Sequence, residues 1–67
     1  MGSGANWEEF RVKFLNLYAN LPLNIRKEVI AILDNEPISW NVAYLEISGN
    51  TKKGQEILKK MKALNIL

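Results

Sequence analysis

The chain has 67 residues and a net charge of +2 at pH 7, and 48% of its residues are hydrophobic. That length allows one domain, and the absence of cysteine and histidine excludes disulfides, thiolate chemistry and imidazole ligands for a metal ion. No apolar stretch reaches the roughly 18 residues that a membrane span needs. We therefore expect a cytoplasmic domain that is not an enzyme and uses no cofactor or metal.

A first helix is predicted from Trp7 to Ala19. Residues 1–4 (MGSG) precede it, and we expect them to be a remnant of recombinant expression, which leaves residues 5–67 as a single helical domain. Asn6 and Glu9 have the spacing of a capping box. Apolar side chains then recur at three- and four-residue steps, the pattern of one helical face: Trp7, Phe10, Phe14, Leu17 and Leu21.

A Leu21-Pro22 corner separates this helix from a second one, predicted from Ile25 to Leu33. Pro22 disfavours a helical conformation at the residue before it, and Asn24 is a suitable N-cap for the next helix. Four apolar residues of that stretch share a helical face: Ile25, Val29, Ile32 and Leu33. The helix should end at residues 34–37, because Pro37 cannot continue the hydrogen-bond ladder.

The stretch from Ile38 to Ser48 (ISWNVAYLEIS) fits two secondary structures. Its bulky side chains alternate as in a strand at Trp40, Val42 and Tyr44. Ser39 is a good N-cap, however, and apolar residues also fit helical spacing: Trp40, Ala43, Tyr44 and Ile47. Because we find no second strand candidate that could pair with it, we predict a short helix from Trp40 to Ile47.

The last predicted helix is basic and amphipathic. It follows a turn at Ser48-Gly49-Asn50, where Gly49 can adopt a positive φ, and Asn50 or Thr51 would cap it. Its apolar side carries Gly54, Ile57, Leu58, Met61 and Leu64, whereas Lys52, Lys53, Lys59 and Lys60 lie opposite and Lys62 lies at one flank. We expect Asn65 to end the helix and the apolar residues 66–67 to fold back. Residues 51–67 carry five lysines and one acid, whereas residues 1–50 carry four basic and six acidic side chains.

These elements predict an all-α fold, a small four-helix domain whose last three helices form a helix-turn-helix-like trihelical arrangement. Phe14, Ile32 and Leu58 should lie deep in its core, because each is central to the apolar face of its helix.

From Ile25 onward, the predicted order of helix, Pro-bounded turn, short helix, turn and amphipathic helix resembles the helix-turn-helix core of winged-helix domains. The ending ILKKMKALNIL is also similar to their recognition helices. Two departures are that no wing hairpin follows and that Glu56 lies near the reading surface. The resemblance implies DNA binding in the major groove. Phosphates would be contacted by Lys52, Lys53, Lys59 and Lys60, and base edges by Thr51, Lys52 and Gln55.

The alternative function is that of a helical adaptor or oligomerisation domain, which binds another protein through its first helix or its Leu21-Pro22 corner. The stretch from Tyr18 to Leu33 is similar to the helix–Leu-Pro–helix pattern of ubiquitin-binding motifs in translesion polymerases, with the match at Leu21-Pro22, Ile25 and Glu28. A folded fragment of a longer chain fits either function.

Overall fold

The computed structural model describes residues 7–67, which form three helices and one antiparallel β-hairpin. In chain order the elements are α1 (Trp7–Ala19), β1 (Val29–Leu33), β2 (Glu36–Ser39), α2 (Trp40–Ser48) and α3 (Lys52–Ala63). The domain is therefore an α+β fold, and the prediction of an all-α four-helix domain is wrong. The MGSG segment and the predicted cap Asn6 lie outside the described residues. None of the helices in residues 7–67 has the length and apolar character needed to span a lipid bilayer.

The β-hairpin replaces the second helix that we predicted from Ile25 to Leu33. Residues 23–27 form turns instead, and β1 begins at Val29. Asp34 and Asn35 join the strands with φ values of 51° and 67°. Positive φ at both central residues is what a type I′ turn needs, and Asp and Asn accept it more readily than most residues. The apolar residues between Ile25 and Leu33 also fit a helical period. A strand forms instead of a helix because this turn brings β2 alongside β1 as its partner.

Pro37, which we predicted to end a helix, lies inside strand β2. The register pairs Leu33 with Glu36, Ile32 with Pro37 and Ala31 with Ile38, and a bulge follows towards Val29. Because proline has no N–H, Ile32 and Pro37 form the pair without ladder hydrogen bonds, and the nitrogen of Pro37 lies on the outer edge.

The two faces of the hairpin differ in burial. Ala31 and Ile38 are buried, whereas Pro37 is exposed on the other face and Ile32 is 55% exposed. Ile32 is therefore not a core residue, contrary to our prediction, because a strand register and not a helical period sets its direction.

The core lies between the three helices and the inner face of the hairpin. Phe14 and Leu58 are buried in it, as predicted. The ring of Phe14 is stacked on Trp40, with centroids 5.9 Å apart. The buried cluster draws on α1, β2, α2 and α3 and contains Phe14, Ile38, Ala43, Ile47, Ile57, Leu58 and Met61.

The helix predicted from Trp40 to Ile47 is confirmed as α2. Ser39 caps it, since its Oγ accepts a hydrogen bond from the N–H of Val42 at 3.2 Å, and the alternative of a strand through Trp40, Val42 and Tyr44 is wrong. At the other end of α2, Arg11 of α1 donates from Nε to the carbonyl oxygen of Ile47 at 3.1 Å. Its positive charge also suits the carboxyl end of a helix. This contact holds α1 against α2.

The end of α3 follows the prediction. Asn65 has a φ of 60° and the N–H of Ile66 donates to the carbonyl oxygen of Met61 at 2.9 Å, which closes the helix. Ile66 and Leu67 are half-buried against the core. The apolar tail therefore folds back as expected.

Candidate nucleic-acid interface

The helices α2 and α3 are joined by a turn of three residues, 49–51. They are two of the three helices of the predicted helix-turn-helix-like arrangement. Residues 25–33 do not form the first one, because they fold into turns and strand β1 of the hairpin, so the prediction of a trihelical arrangement is wrong. The positive φ of this turn belongs to Asn50, at 56°, and not to Gly49, whose φ is −79°. Thr51 is the N-cap of α3, because its Oγ1 accepts a hydrogen bond from the N–H of Gly54 at 2.9 Å. The sequence left the choice between Asn50 and Thr51 open.

Gly54 sets the distance between these two helices. A Cβ placed on Gly54 would lie 2.5 Å from the carbonyl oxygen of Glu46 and 2.8 Å from its carbonyl carbon. Real Cβ atoms do not approach backbone so closely. The backbone of α3 therefore packs directly on the end of α2, and Gly54 is buried on the apolar side of α3, where the sequence placed it.

The outer side of α3 is rich in lysine, and its inner side is apolar, as the sequence predicted. The buried residues are Gly54, Ile57, Leu58 and Met61. The exposed residues include Lys52, Gln55, Lys59, Lys60 and Lys62, while Lys53 is partly exposed. Within residues 7–67, Lys53 is the one lysine of α3 that forms a salt bridge.

Two of the predicted nucleic-acid-binding residues, Thr51 and Lys53, are engaged within the domain. The Thr51 hydroxyl lies 2.6 Å from Oε1 of Glu46, to which it can donate while it caps α3. Lys53 donates from Nζ to Oε1 of Glu36 on β2 at 2.7 Å. This hydrogen bond raises the pKa of Lys53 above its usual value, and the negative charges of Glu36 and Glu46 act in the same direction. Both side chains are therefore occupied by partners that the sequence did not predict.

Acidic side chains surround the amino-terminal end of α3. A groove between the hairpin tip and α3 is lined by Leu33, Asp34, Glu36, Lys52, Lys53 and Glu56. In helix-turn-helix proteins this end of the second helix contacts base edges. Here Asp34, Glu36 and Glu56 would repel phosphate from the groove, so the lysines do not form one uninterrupted patch.

A further basic contact joins α3 to α1. Lys62 of α3 and Lys13 of α1 both lie over the ring of Phe10, with Nζ 5.6 Å and 5.8 Å from its centroid. We predicted Lys62 at a flank of the helix and did not predict a role for Lys13, although Lys13 follows Phe10 by one helical turn. Glu9 lies one turn before Lys13. We call the exposed set the lysine surface; it consists of Lys13, Lys52, Lys59, Lys60 and Lys62.

The fold and this surface define a small α+β domain with a basic carboxyl-terminal helix, α3. No protein-family model, curated protein or solved structure significantly matches the chain. Its function is therefore inferred from the geometry of its own residues.

Proposed function

We propose that the domain is a small DNA-binding or regulatory module whose lysine surface contacts the phosphate backbone. One observation carries the proposal. The helix α3, which follows α2 after a turn of three residues, exposes four lysines without acidic partners in the described residues, and α1 adds Lys13 beside Lys62. A cytoplasmic location belongs to the same proposal.

The distribution of charge favours phosphate contact over base reading. Lys59, Lys60 and Lys62 lie in the carboxyl-terminal half of α3, away from the acidic groove near Lys52. Lysine neutralises phosphate without reading sequence, and such contacts supply most of non-specific DNA affinity. Since Thr51 is occupied by its cap and by Glu46, Lys52 and Gln55 are the predicted residues that remain for base edges. We therefore propose binding with little sequence preference.

The second candidate is a protein-interaction or oligomerisation domain. It is favoured by large apolar side chains that are exposed in the described residues: Val12, Leu17, Leu23, Val29, Ile32, Tyr44, Leu45 and Leu64. Val12 and Leu17 lie on α1, one of the two surfaces that we proposed for docking. The Leu21-Pro22 corner does not resemble ubiquitin-binding motifs in structure. Their pattern needs a helix after Leu-Pro, and the helix expected from Ile25 is a turn followed by a strand.

Salt dependence tests the DNA proposal directly. If Lys13, Lys59, Lys60 and Lys62 each neutralise one phosphate, log K should fall with log salt with a slope of about −3.6, which is about 150-fold between about 50 and 200 mM salt. The double variant Lys59→Ala/Lys62→Ala should reduce the magnitude of this slope by about 2. Fluorescence anisotropy of a labelled duplex at several salt concentrations measures both values.

The matched control is Lys27→Ala/Lys53→Ala, which removes the same charge from positions outside the lysine surface. It should leave the slope within about 0.5 of the parent's. An equal loss in both double variants would mean that total charge and not this surface determines binding. Absence of binding at about 100 μM protein and low salt would end the DNA proposal, because ordinary non-specific affinity registers there.

A further inference from the structure

An aromatic pair lies where the first turn of α1 meets the carboxyl-terminal half of α3. The rings of Trp7 and Phe10 are tilted against each other, with centroids 5.9 Å apart. Both side chains pack on the buried core, yet both residues are only half-buried and keep some contact with solvent. Because Lys62 lies over Phe10, this aromatic pair is continuous with the lysine surface.

Two ammonium groups converge on the pair from different helices. The Nζ atoms of Lys13 and Lys62 lie 5.8 Å and 5.6 Å from the same Phe10 centroid. Like charges held near one point repel each other, and an anion bound by both would relieve the repulsion. Residues 57–67 carry three lysines and no acid, and Glu9 is directed about 100° away from Phe10 around α1. The arrangement therefore favours a phosphate next to an aromatic ring.

The other end of α3 is unsuited to the groove of a duplex. Helix-turn-helix proteins place that amino-terminal end in the major groove, and here Asp34, Glu36 and Glu56 line the groove beside it. In a duplex the bases stack on one another, so a protein reaches only their edges. In a single strand each base has a free face on which an aromatic side chain can stack.

We infer that the lysine surface binds single-stranded nucleic acid. Lys13 and Lys62 contact the phosphates of one nucleotide, and its base stacks on the ring of Trp7. Phe10 is a positioning residue, because both lysines lie over its ring and Trp7 packs against it. This binding mode rests on the phosphate contacts proposed above and adds the form of nucleic acid that makes them. Every base can stack in this way, in agreement with binding of little sequence preference.

Fluorescence anisotropy at low salt, with a labelled oligothymidylate of about 15 nucleotides and a duplex of the same length, tests the inference. The parent should bind the single strand at least about tenfold more tightly than the duplex, because stacking adds to phosphate contact. An abasic strand of the same length has the same phosphates and no bases, so it should bind about tenfold more weakly than oligothymidylate. This comparison needs no variant of the protein, and it decides the question if a variant fails to fold.

Trp7→Leu identifies the stacking ring. It should remove most of the preference for the single strand and leave the affinity for the duplex within about twofold of the parent's. The matched control is Tyr44→Leu on α2, where the tyrosine is 36% exposed and lies outside the lysine surface; it should keep the preference. Oligouridylate of the same length distinguishes the two sources of a single strand, since tighter binding of one of them assigns the surface to RNA or to DNA.

The outcomes separate this inference from the proposed function. If oligothymidylate binds no more tightly than the duplex or the abasic strand, the inference is overturned and phosphate contact alone remains. A preference that Trp7→Leu leaves intact, or that Tyr44→Leu removes to the same extent, also overturns it. Absence of binding to every strand at about 100 μM protein would end the proposed function and this inference with it.

Discussion

Replacing Phe14 with Ala is expected to leave most of the protein unfolded at 25 °C. The side chain has no solvent exposure and stacks on Trp40 and Tyr18, with centroid distances of 5.9 Å and 6.2 Å. Removing a buried phenylalanine costs about 3–5 kcal/mol. A domain of this size without disulfides has about 3–5 kcal/mol of stability in total. The substitution therefore removes about as much free energy of unfolding as the whole domain has.

Urea titration followed by far-UV circular dichroism measures the effect. Val12→Ala is the matched control, because Val12 lies on the same helix and is 46% exposed; it should cost about 1 kcal/mol or less. A Phe14→Ala protein with the urea midpoint of the parent would contradict the packing of α1 on the core.

Gly54→Ala is expected to destabilise the domain by about 1–3 kcal/mol, although alanine is the better helix former. In an open helix the substitution would gain about 1 kcal/mol. Here the new methyl group would lie 2.5 Å from the carbonyl oxygen of Glu46, which is backbone and cannot rotate away. The helices α2 and α3 would have to separate, and the packing of Ile47 and Ile57 would loosen with them.

Gln55→Ala separates the effect of helix propensity from that of the contact with the backbone of Glu46. Gln55 is the exposed neighbour of Gly54, so this variant reports helix propensity alone and should change stability by no more than about 0.5 kcal/mol. Gly54→Val should cost more than Gly54→Ala. If Gly54→Ala were instead more stable than the parent, the backbones of α2 and α3 could not be in contact.

The helices could be predicted because their signals are local. Ser39 and Thr51 cap α2 and α3 through hydrogen bonds to residues three positions ahead, and Phe14 and Leu58 are central to apolar faces. The hairpin was missed because the apolar residues of β1 also fit a helical period. A usable signal was present: Asp34-Asn35 is a two-residue turn between a β-branched run and Glu36–Ser39.

The candidate site was predictable in part for the same reason. A period of 100° per residue separates the lysines of α3 from Ile57 and Met61, and no tertiary information is needed for that. The partners of Thr51 and Lys53 could not be foreseen, since Glu46 and Glu36 reach them from other elements. Lys13 joins the surface only through the packing of α1 beside α3.

The short links between elements bear on how so small a core suffices. Two residues join β1 to β2, none separates β2 from α2, and three join α2 to α3. The longest link, residues 20–28, is itself held in place by Arg26. Its Nη2 donates a hydrogen bond to the carbonyl oxygen of Tyr18 at 3.2 Å, and its guanidinium lies over the aromatic ring of Tyr18. Loop-closure entropy rises with loop length, so these connections oppose folding little. Short loops thus fill the role that disulfides or a structural metal have in other chains of this size.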